Sequence, residues 1–281
     1  MRNYKDEFEK RVAFIQSVLK ESGTAGIVYG NSGGKDSALV GILCKAACEN
    51  TVGIMLPCST KRNYYEDMMD AIAVAEQYQI EIRTVDLSKT KDALLHTIGK
   101  AASLTETAVA NIAPRLRMTA LYAIAASENR LVAGTGNRSE AYVGYFTKWG
   151  DGAHDFNPIA DLTVTEIYEF LRYLNAPESI LTKAPSAALF EGQTDEQEMG
   201  VTYAELDAAF SAGKKIFFMD AGEIFPCLEK TSTQFRFLTL RSSGGIRQAT
   251  LSSSGSWSVS TSANPGSFVK YTSMSLSEAQ K

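Results

Sequence analysis

The sequence predicts an α/β fold, a doubly wound parallel sheet with helices on both faces. Three observations lead there. Short apolar runs of strand length alternate with longer segments of helical periodicity up to Leu174. A Gly-rich turn, Ser32-Gly33-Gly34, joins the first apolar run to a helix. The chain has 281 residues, 44% of them hydrophobic, enough to bury the core of one large domain of this kind. Alternation of strands and helices places the strands parallel in one layer and covers both faces.

The elements follow in order. Residues 4–21 read as an amphipathic helix with Phe8, Val12, Ile15 and Leu19 on one stripe. Residues 24–30 read as a buried strand, and Asp36 and Ser37 open a helix whose apolar positions are Ala38, Leu39, Ile42, Leu43 and Ala46. A second strand spans 51–56 and stops at Pro57. Residues 62–79 carry Met68, Ile72 and Ala75 at helical spacing. A third strand over 80–85 and a short helix over 89–101 come next. Asn111, with Pro114 in the first turn, starts a helix through Ser127 with Leu116, Ala120, Ala123 and Ile124 inward. Residues 131–133 form the fourth strand, ending in Gly134-Thr135-Gly136. Thr163–Glu166 and Thr202–Glu205 are capping boxes that begin two further helices, the first with Ile167, Phe170, Leu171 and Leu174 inward.

After about Ser211 the character changes. Residues 231–281 hold 14 serines among 51 residues, and apolar periodicity fades. Such sequence buries too little apolar surface to offset its ordering entropy. The expected organisation is therefore a domain over 1–211 and a poorly ordered Ser-rich tail over 212–281.

Net charge of −4 and a pI near 5.4 exclude a general nucleic-acid binder or a membrane-surface protein. No apolar run is long enough to span a bilayer, and Met-Arg-Asn-Tyr-Lys-Asp-Glu is not a secretory signal. The cysteines Cys44, Cys48, Cys58 and Cys227 form no Cys-x-x-Cys pair, which points to a reducing, cytoplasmic setting. Cys44 and Cys48, one helical turn apart, read as small buried apolar residues.

A strand, a bare glycine loop and a helix N-terminus make an anion site, because glycine admits a phosphate to the backbone and the helix dipole holds it. The stretch Gly30-Asn31-Ser32-Gly33-Gly34-Lys35-Asp36-Ser37 is not a Walker A loop: Tyr29 stands where the first Gly belongs and Asp36 where the magnesium-binding hydroxyl belongs. The dinucleotide fingerprint also fails, since Ser32 follows Gly30 at the second Gly position. In parallel sheets the ligand crevice lies at the carboxyl ends of the strands. The Ser32–Ser37 loop and the Gly134–Glu140 stretch should therefore face one crevice. The Gly-, Asp- and Lys-dense segment 144–158 reads as a substrate loop.

Ser32-Gly-Gly-Lys-Asp-Ser37 resembles the pyrophosphate loop of the N-type ATP pyrophosphatases. Gly134-Thr135…Glu140, Gly144-Tyr-Phe-Thr-Lys148-Trp-Gly-Asp-Gly, Asn157-Pro158, Ala184-Pro185-Ser186 and Gly192-Gln-Thr-Asp-Glu stand in the order and spacing of the ammonia-dependent NAD synthetases. The resemblance covers the chain to about Phe210. It implies a ligase that forms a C–N bond: ATP adenylates the carboxylate of deamido-NAD, pyrophosphate leaves, and ammonia displaces AMP to give NAD. It implies Gly30–Ser37, Thr135, Val164 and Ser186 at ATP, Asp36 and Glu140 at Mg2+, and Arg115, Lys148 and Asp155 at deamido-NAD, with Lys148 and Asp155 catalytic. It also implies a homodimer, with the first helix and residues 105–127 as interface candidates. An acid beside a phosphate cradle makes sense as a metal ligand. Asp155 is expected to orient or accept from ammonium. His154 and Arg117 read as surface residues.

Two departures stand out. Val164 occupies the position of a family lysine that meets ATP phosphate; Lys183 or the helix N-terminus is the expected substitute. No histidine follows His154, so the family's closing His-Lys-Arg type segment has no counterpart, and the Ser-rich tail stands in its place. The alternative reading is a catalytically impaired paralogue that still binds ATP or deamido-NAD. A tRNA-thiolating or lysidine-forming enzyme of the same loop group is disfavoured, because the chain lacks a basic surface and paired cysteines.

Overall fold

The computed structural model describes residues 2–58, 65–186 and 194–212, with strand backbones at 215–220, 236–242, 245–251, 257–261 and 269–271. The chain divides into two compact units, Met1–Met199 and Gly200–Lys281. The first unit runs α1 (Tyr4–Ser22), β1 (Gly26–Gly30), α2 (Lys35–Ala47), β2 (Thr51–Met55), α3 (Glu66–Gln77), β3 (Glu81–Thr84), α4 (Ser88–Gly99), α5 (Glu106–Ala110), α6 (Ile112–Glu128), β4 (Arg130–Ala133), α7 (Arg138–Val143), α8 (Val164–Tyr173), α9 (Glu178–Thr182) and α10 (Asp195–Met199). Its sheet has the order β3-β2-β1-β4. All three pairings are parallel, with Ile27 opposite Thr51, Gly26 opposite Arg130 and Val52 opposite Glu81. The predicted α/β class and parallel sheet are what the structure contains.

Alternation along β1 divides the core. Ile27 and Tyr29 pack with Ile15 of α1, Leu39 and Leu43 of α2, Val74 of α3, and Ile167, Phe170 and Leu171 of α8. Val28 faces the other way, with Val52, Ile54, Val132 and the α6 residues Ala113 and Ala125. The sheet is thus covered on both faces. On α6 the expected inward stripe needs one correction: Ala123 is exposed, and Leu121 and Ala125 take the inward positions. On α3 the buried positions are Asp67, Ala71, Val74 and Ala75, while Met68 and Ile72 are half-buried. The expected start of that helix at 62–64 lies outside the described residues.

Two hydrogen bonds finish the edge of β4. After the loop that follows it, the chain returns so that Phe156 bridges Ala133 in parallel. Asp155 donates its N–H to the Val132 carbonyl at 2.9 Å, and its Oδ2 accepts from the Val132 N–H at 2.8 Å. Both polar groups of an edge-strand residue are thereby satisfied.

The second unit contains α11 (Tyr203–Ser211), whose Thr202–Glu205 capping box is formed as predicted. It also contains a sheet of order β5-β6-β7-β8-β9, from β5 (Lys215–Asp220), β6 (Arg236–Ser242), β7 (Gly245–Leu251), β8 (Trp257–Thr261) and β9 (Val269–Tyr271). β5 and β6 are parallel and the remaining pairs antiparallel. The sequence boundary at 211/212 falls one helix later than the division between the units. Residues 221–235, 252–256, 262–268 and 272–281 of the Ser-rich tail lie outside the described residues. Among the described residues no helix is long and apolar enough to cross a membrane.

Tyr29 fills the space left by two glycines. A Cβ on Gly41 of α2 would stand 2.3 Å from the Tyr29 hydroxyl oxygen, and one on Gly53 of β2 would stand 2.9 Å from it. That hydroxyl is buried and finds no hydrogen-bond partner among the described residues. Tyr29→Phe is therefore expected to raise unfolding stability by about 1 kcal/mol, because a desolvated unpaired group is removed. Gly41→Ala is expected to lower it by about 1–2 kcal/mol, and by less in the Tyr29→Phe background. Urea unfolding midpoints of the two single variants and the double variant check both.

Candidate active site

A cavity of about 1060 Å³ opens at the carboxyl ends of β1, β2 and β4. Its walls include Gly30–Ser32 and Gly34–Ser37 of the loop, Gly134–Gly136 and Glu140 after β4, and Lys183–Ser186. The two strand-end stretches do face one crevice, as the topology required. They also touch: the Asn137 Nδ2 donates to Asp36 Oδ1 at 3.1 Å.

The loop has a defined internal geometry. Gly33 sits at φ +70°, and a Cβ there would stand 2.0 Å from the Asp67 carbonyl oxygen. Only glycine fits on both counts. Ser32 Oγ accepts from the Gly34 N–H at 3.3 Å and lies 3.1 Å from Ser37 Oγ, which donates to the Gly34 carbonyl at 3.0 Å. Asn31 is buried, donating its N–H to the Ile54 carbonyl and its Nδ2 to the Ala71 carbonyl. These hydroxyls and amide shape the loop. No side chain caps α2, whose N-terminus follows directly on the loop.

Charge is concentrated beside it. The buried Lys35 ammonium lies 2.8 Å from Asp36 Oδ2. Burial would lower the Lys35 pKa, yet the carboxylates of Asp36 and Glu140 outweigh it and the net shift is upward. Glu140 is pushed up to about 8, first by burial and then by the Asp36 charge; Lys35 and the Asn137 amide pull the other way. Asn137 places both acids. Its N–H donates to Glu140 Oε2 at 3.0 Å, its side-chain oxygen accepts from the Glu140 N–H at 2.9 Å, and its Nδ2 holds Asp36. The first two bonds are the capping box of α7. Asn137 was not singled out in the sequence, although Asn three residues before Glu is the signature that identified the boxes at Thr163 and Thr202.

Asp36 and Glu140 fit a hard divalent cation. They are oxygen donors on separate loops at one wall, joined through Asn137. Among the described residues no three acids, cysteines or histidines group as a complete metal cage. Two carboxylates suffice for Mg2+, which completes its shell with waters and substrate phosphates.

The other predicted residues divide. Thr135 and Ser186 line the cavity. Val164 does not: it is buried, and its N–H donates to Ser139 Oγ at 3.1 Å. The N-terminal amide of α8 is thus already used. Lys183 does reach the loop, donating to the Gly33 carbonyl at 3.2 Å. Arg115, Lys148 and Asp155 are exposed and outside the cavity lining. Arg115 Nε donates to the Lys148 carbonyl at 3.2 Å, the Lys148 ammonium lies 5.5 Å from the Trp149 ring centroid, and Tyr122 donates to Asp155 Oδ1 at 3.3 Å. Gly192 and Gln193 of the last motif lie outside the described residues. Asp195 of that motif is buried in the cavity wall and accepts from the Tyr145 hydroxyl.

Arg117, read as a surface charge, instead lines the cavity and donates from Nε to the Leu56 carbonyl at 3.0 Å. Burial lowers its pKa. Pro114, Arg117, Met118 and Leu121 share the cavity face of α6, an i, i+3, i+4, i+7 pattern that carries the signal. His154 packs over Gly134, where a Cβ would stand 2.5 Å from its ring.

The chain matches the NAD synthase family model over residues 7–221. It is 46% identical over 215 residues to the NH3-dependent NAD+ synthetase of Carboxydothermus hydrogenoformans, covering 75% of this chain and 87% of that protein. Among solved structures it resembles an NMN synthetase from Francisella tularensis, at 38% identity and a TM-score of 0.71, over 76% of this chain and 87% of the other. It also resembles the NH3-dependent NAD synthetase of Campylobacter jejuni, at 34% identity and a TM-score of 0.62, over 75% and 83%. With a family match across most of its length and relatives of this identity, the chain belongs to the NAD synthase family.

Proposed function

We propose that this chain is an ammonia-dependent NAD synthetase that uses ATP to amidate deamido-NAD. The observation that carries the reading is the Asn137–Asp36 hydrogen bond, which brings the glycine loop and Glu140 to one wall of a nucleotide-sized cavity. In the proposed reaction a carboxylate oxygen of deamido-NAD attacks the α-phosphorus of ATP. The bond from that phosphorus to the bridging oxygen breaks, and pyrophosphate leaves. Ammonia then attacks the acyl carbon, AMP departs with the C–O electron pair, and a proton is lost to give the amide.

The loop amides and the first turn of α2 receive the departing pyrophosphate. Thr135 and Ser186 are assigned to ATP from the cavity walls. Asp36 and Glu140 would hold Mg2+, which supplies Lewis-acid neutralisation of phosphate charge. Arg117 is a further cation inside the cavity. Arg115, Lys148 and Asp155 are assigned to deamido-NAD on the outer surface. Exposed Phe146 and Trp149 lie in the same 144–152 loop, and we assign that face to a second copy of the chain in a homodimer.

Incubation with ATP, Mg2+, deamido-NAD and ammonium is expected to give NAD, AMP and pyrophosphate in equal amounts, read by chromatography. ATP binding without turnover would sink this reading in favour of an impaired paralogue. The Francisella tularensis relative is an NMN synthetase, so the same assay is run with the mononucleotide acid. Faster turnover of the mononucleotide would reassign the substrate. Asp36→Asn and Glu140→Gln are each expected to lower kcat by about 10²-fold or more. Both should also raise the Mg2+ concentration for half-maximal rate, which a purely structural defect would leave unchanged.

A further inference from the structure

We propose that Lys183 is a positioning residue for the phosphate loop, acting through Asp67 and Asp70 rather than by touching ATP. The inference rests on the reading of the cavity as an ATP site and names a component not assigned above. An ammonium has three N–H donors. Those of Lys183 meet three acceptors: Asp70 Oδ2 at 2.6 Å, Asp67 Oδ1 at 2.7 Å and the Gly33 carbonyl at 3.2 Å. No donor is left for a phosphate oxygen in this arrangement.

Each partner controls the loop. Asp67 and Asp70 lie one turn apart on α3 and form one acidic clamp, and the Asp67 backbone carbonyl is the atom that excludes any side chain at Gly33. Gly33 at φ +70° gives the loop a freedom that other residues lack. A carbonyl bound to an ammonium cannot turn toward an incoming phosphate, so the lysine fixes which way the Gly33–Gly34 peptide faces. The peptide's other end is fixed by the Gly34 N–H on Ser32 Oγ. The Lys183 main chain is held in turn by the Tyr168 hydroxyl at 2.9 Å. Lys183 thus ties α3, the loop and the 183–186 segment that carries Ser186 into one unit.

The test turns on the sign of one substitution. Asp70 does not line the cavity, and Asp70→Asn removes a negative charge near a polyanion site. Simple electrostatics predicts tighter ATP binding; a positioning role predicts weaker. We expect Asp70→Asn and Lys183→Met each to weaken Mg-ATP binding about tenfold or more, by calorimetry. KM for ATP should rise while KM for deamido-NAD stays constant, and Lys183→Arg should recover part of the loss. Thermal melts confirm that each variant folds. If wild-type protein binds ATP and Asp70→Asn binds it equally well or better, the positioning role is overturned. If wild-type protein does not bind ATP, the reading of the cavity itself has failed.

Discussion

Two carboxylates share one wall of the cavity, and much of the local structure exists to allow it. Burial raises the proton affinity of Glu140, and the neighbouring Asp36 charge raises it further. Lys35 offsets part of that effect from the position next to Asp36 in the chain. Asn137 does the rest by hydrogen bonding. It caps α7 through Glu140 and reaches across to Asp36, so one fully buried amide fixes the relation between loops about 100 residues apart. Because Asn carries no charge, it can hold two acids without neutralising either. The pair remains an acceptor set for a cation.

The fold was legible because it rests on periodicity. Strand runs, helix stripes and capping boxes are local, and they placed the four strands and the longer helices of the first unit within a few residues; the short helices α5, α7, α9 and α10 carry too few turns to show a stripe. The crevice was legible as well, since parallel strands put their following loops at one end. What sequence could not separate were neighbours on a helix. Arg115 and Arg117 look equivalent in the sequence, yet two residues of α-helix turn a side chain by about 200°. One ends exposed against the Lys148 carbonyl and the other in the cavity. Only the stripe Pro114, Arg117, Met118, Leu121 distinguishes them.

Asp155 shows a different obstacle. In the sequence it is an acid in a polar loop. In the structure its carboxylate satisfies the Val132 N–H on the edge strand, a duty created by the return of Phe156 beside Ala133. Long-range backbone accounting of this kind leaves no local sequence trace. Val164 is similar. Its position suggested a phosphate contact, but Ser139 already accepts its amide hydrogen and the side chain belongs to the core.

The charges next to the loop give the physical reason for including Mg2+ in the proposed reaction. Lys35 and Lys183 are the ammonium groups that touch it or its flanking acid. Against them stand Asp36, Asp67, Asp70 and Glu140. Both ammonium groups are already bonded to carboxylates, and the third cation of the cavity, Arg117, donates to the Leu56 carbonyl. The α8 N-terminus offers no lysine and no open amide at Val164. A triphosphate entering this set adds several negative charges beside these carboxyls. The α2 dipole and loop amides supply only partial charges. A divalent cation arriving with the nucleotide would offset that charge, and Asp36 and Glu140, both held by Asn137, are the acids to receive it.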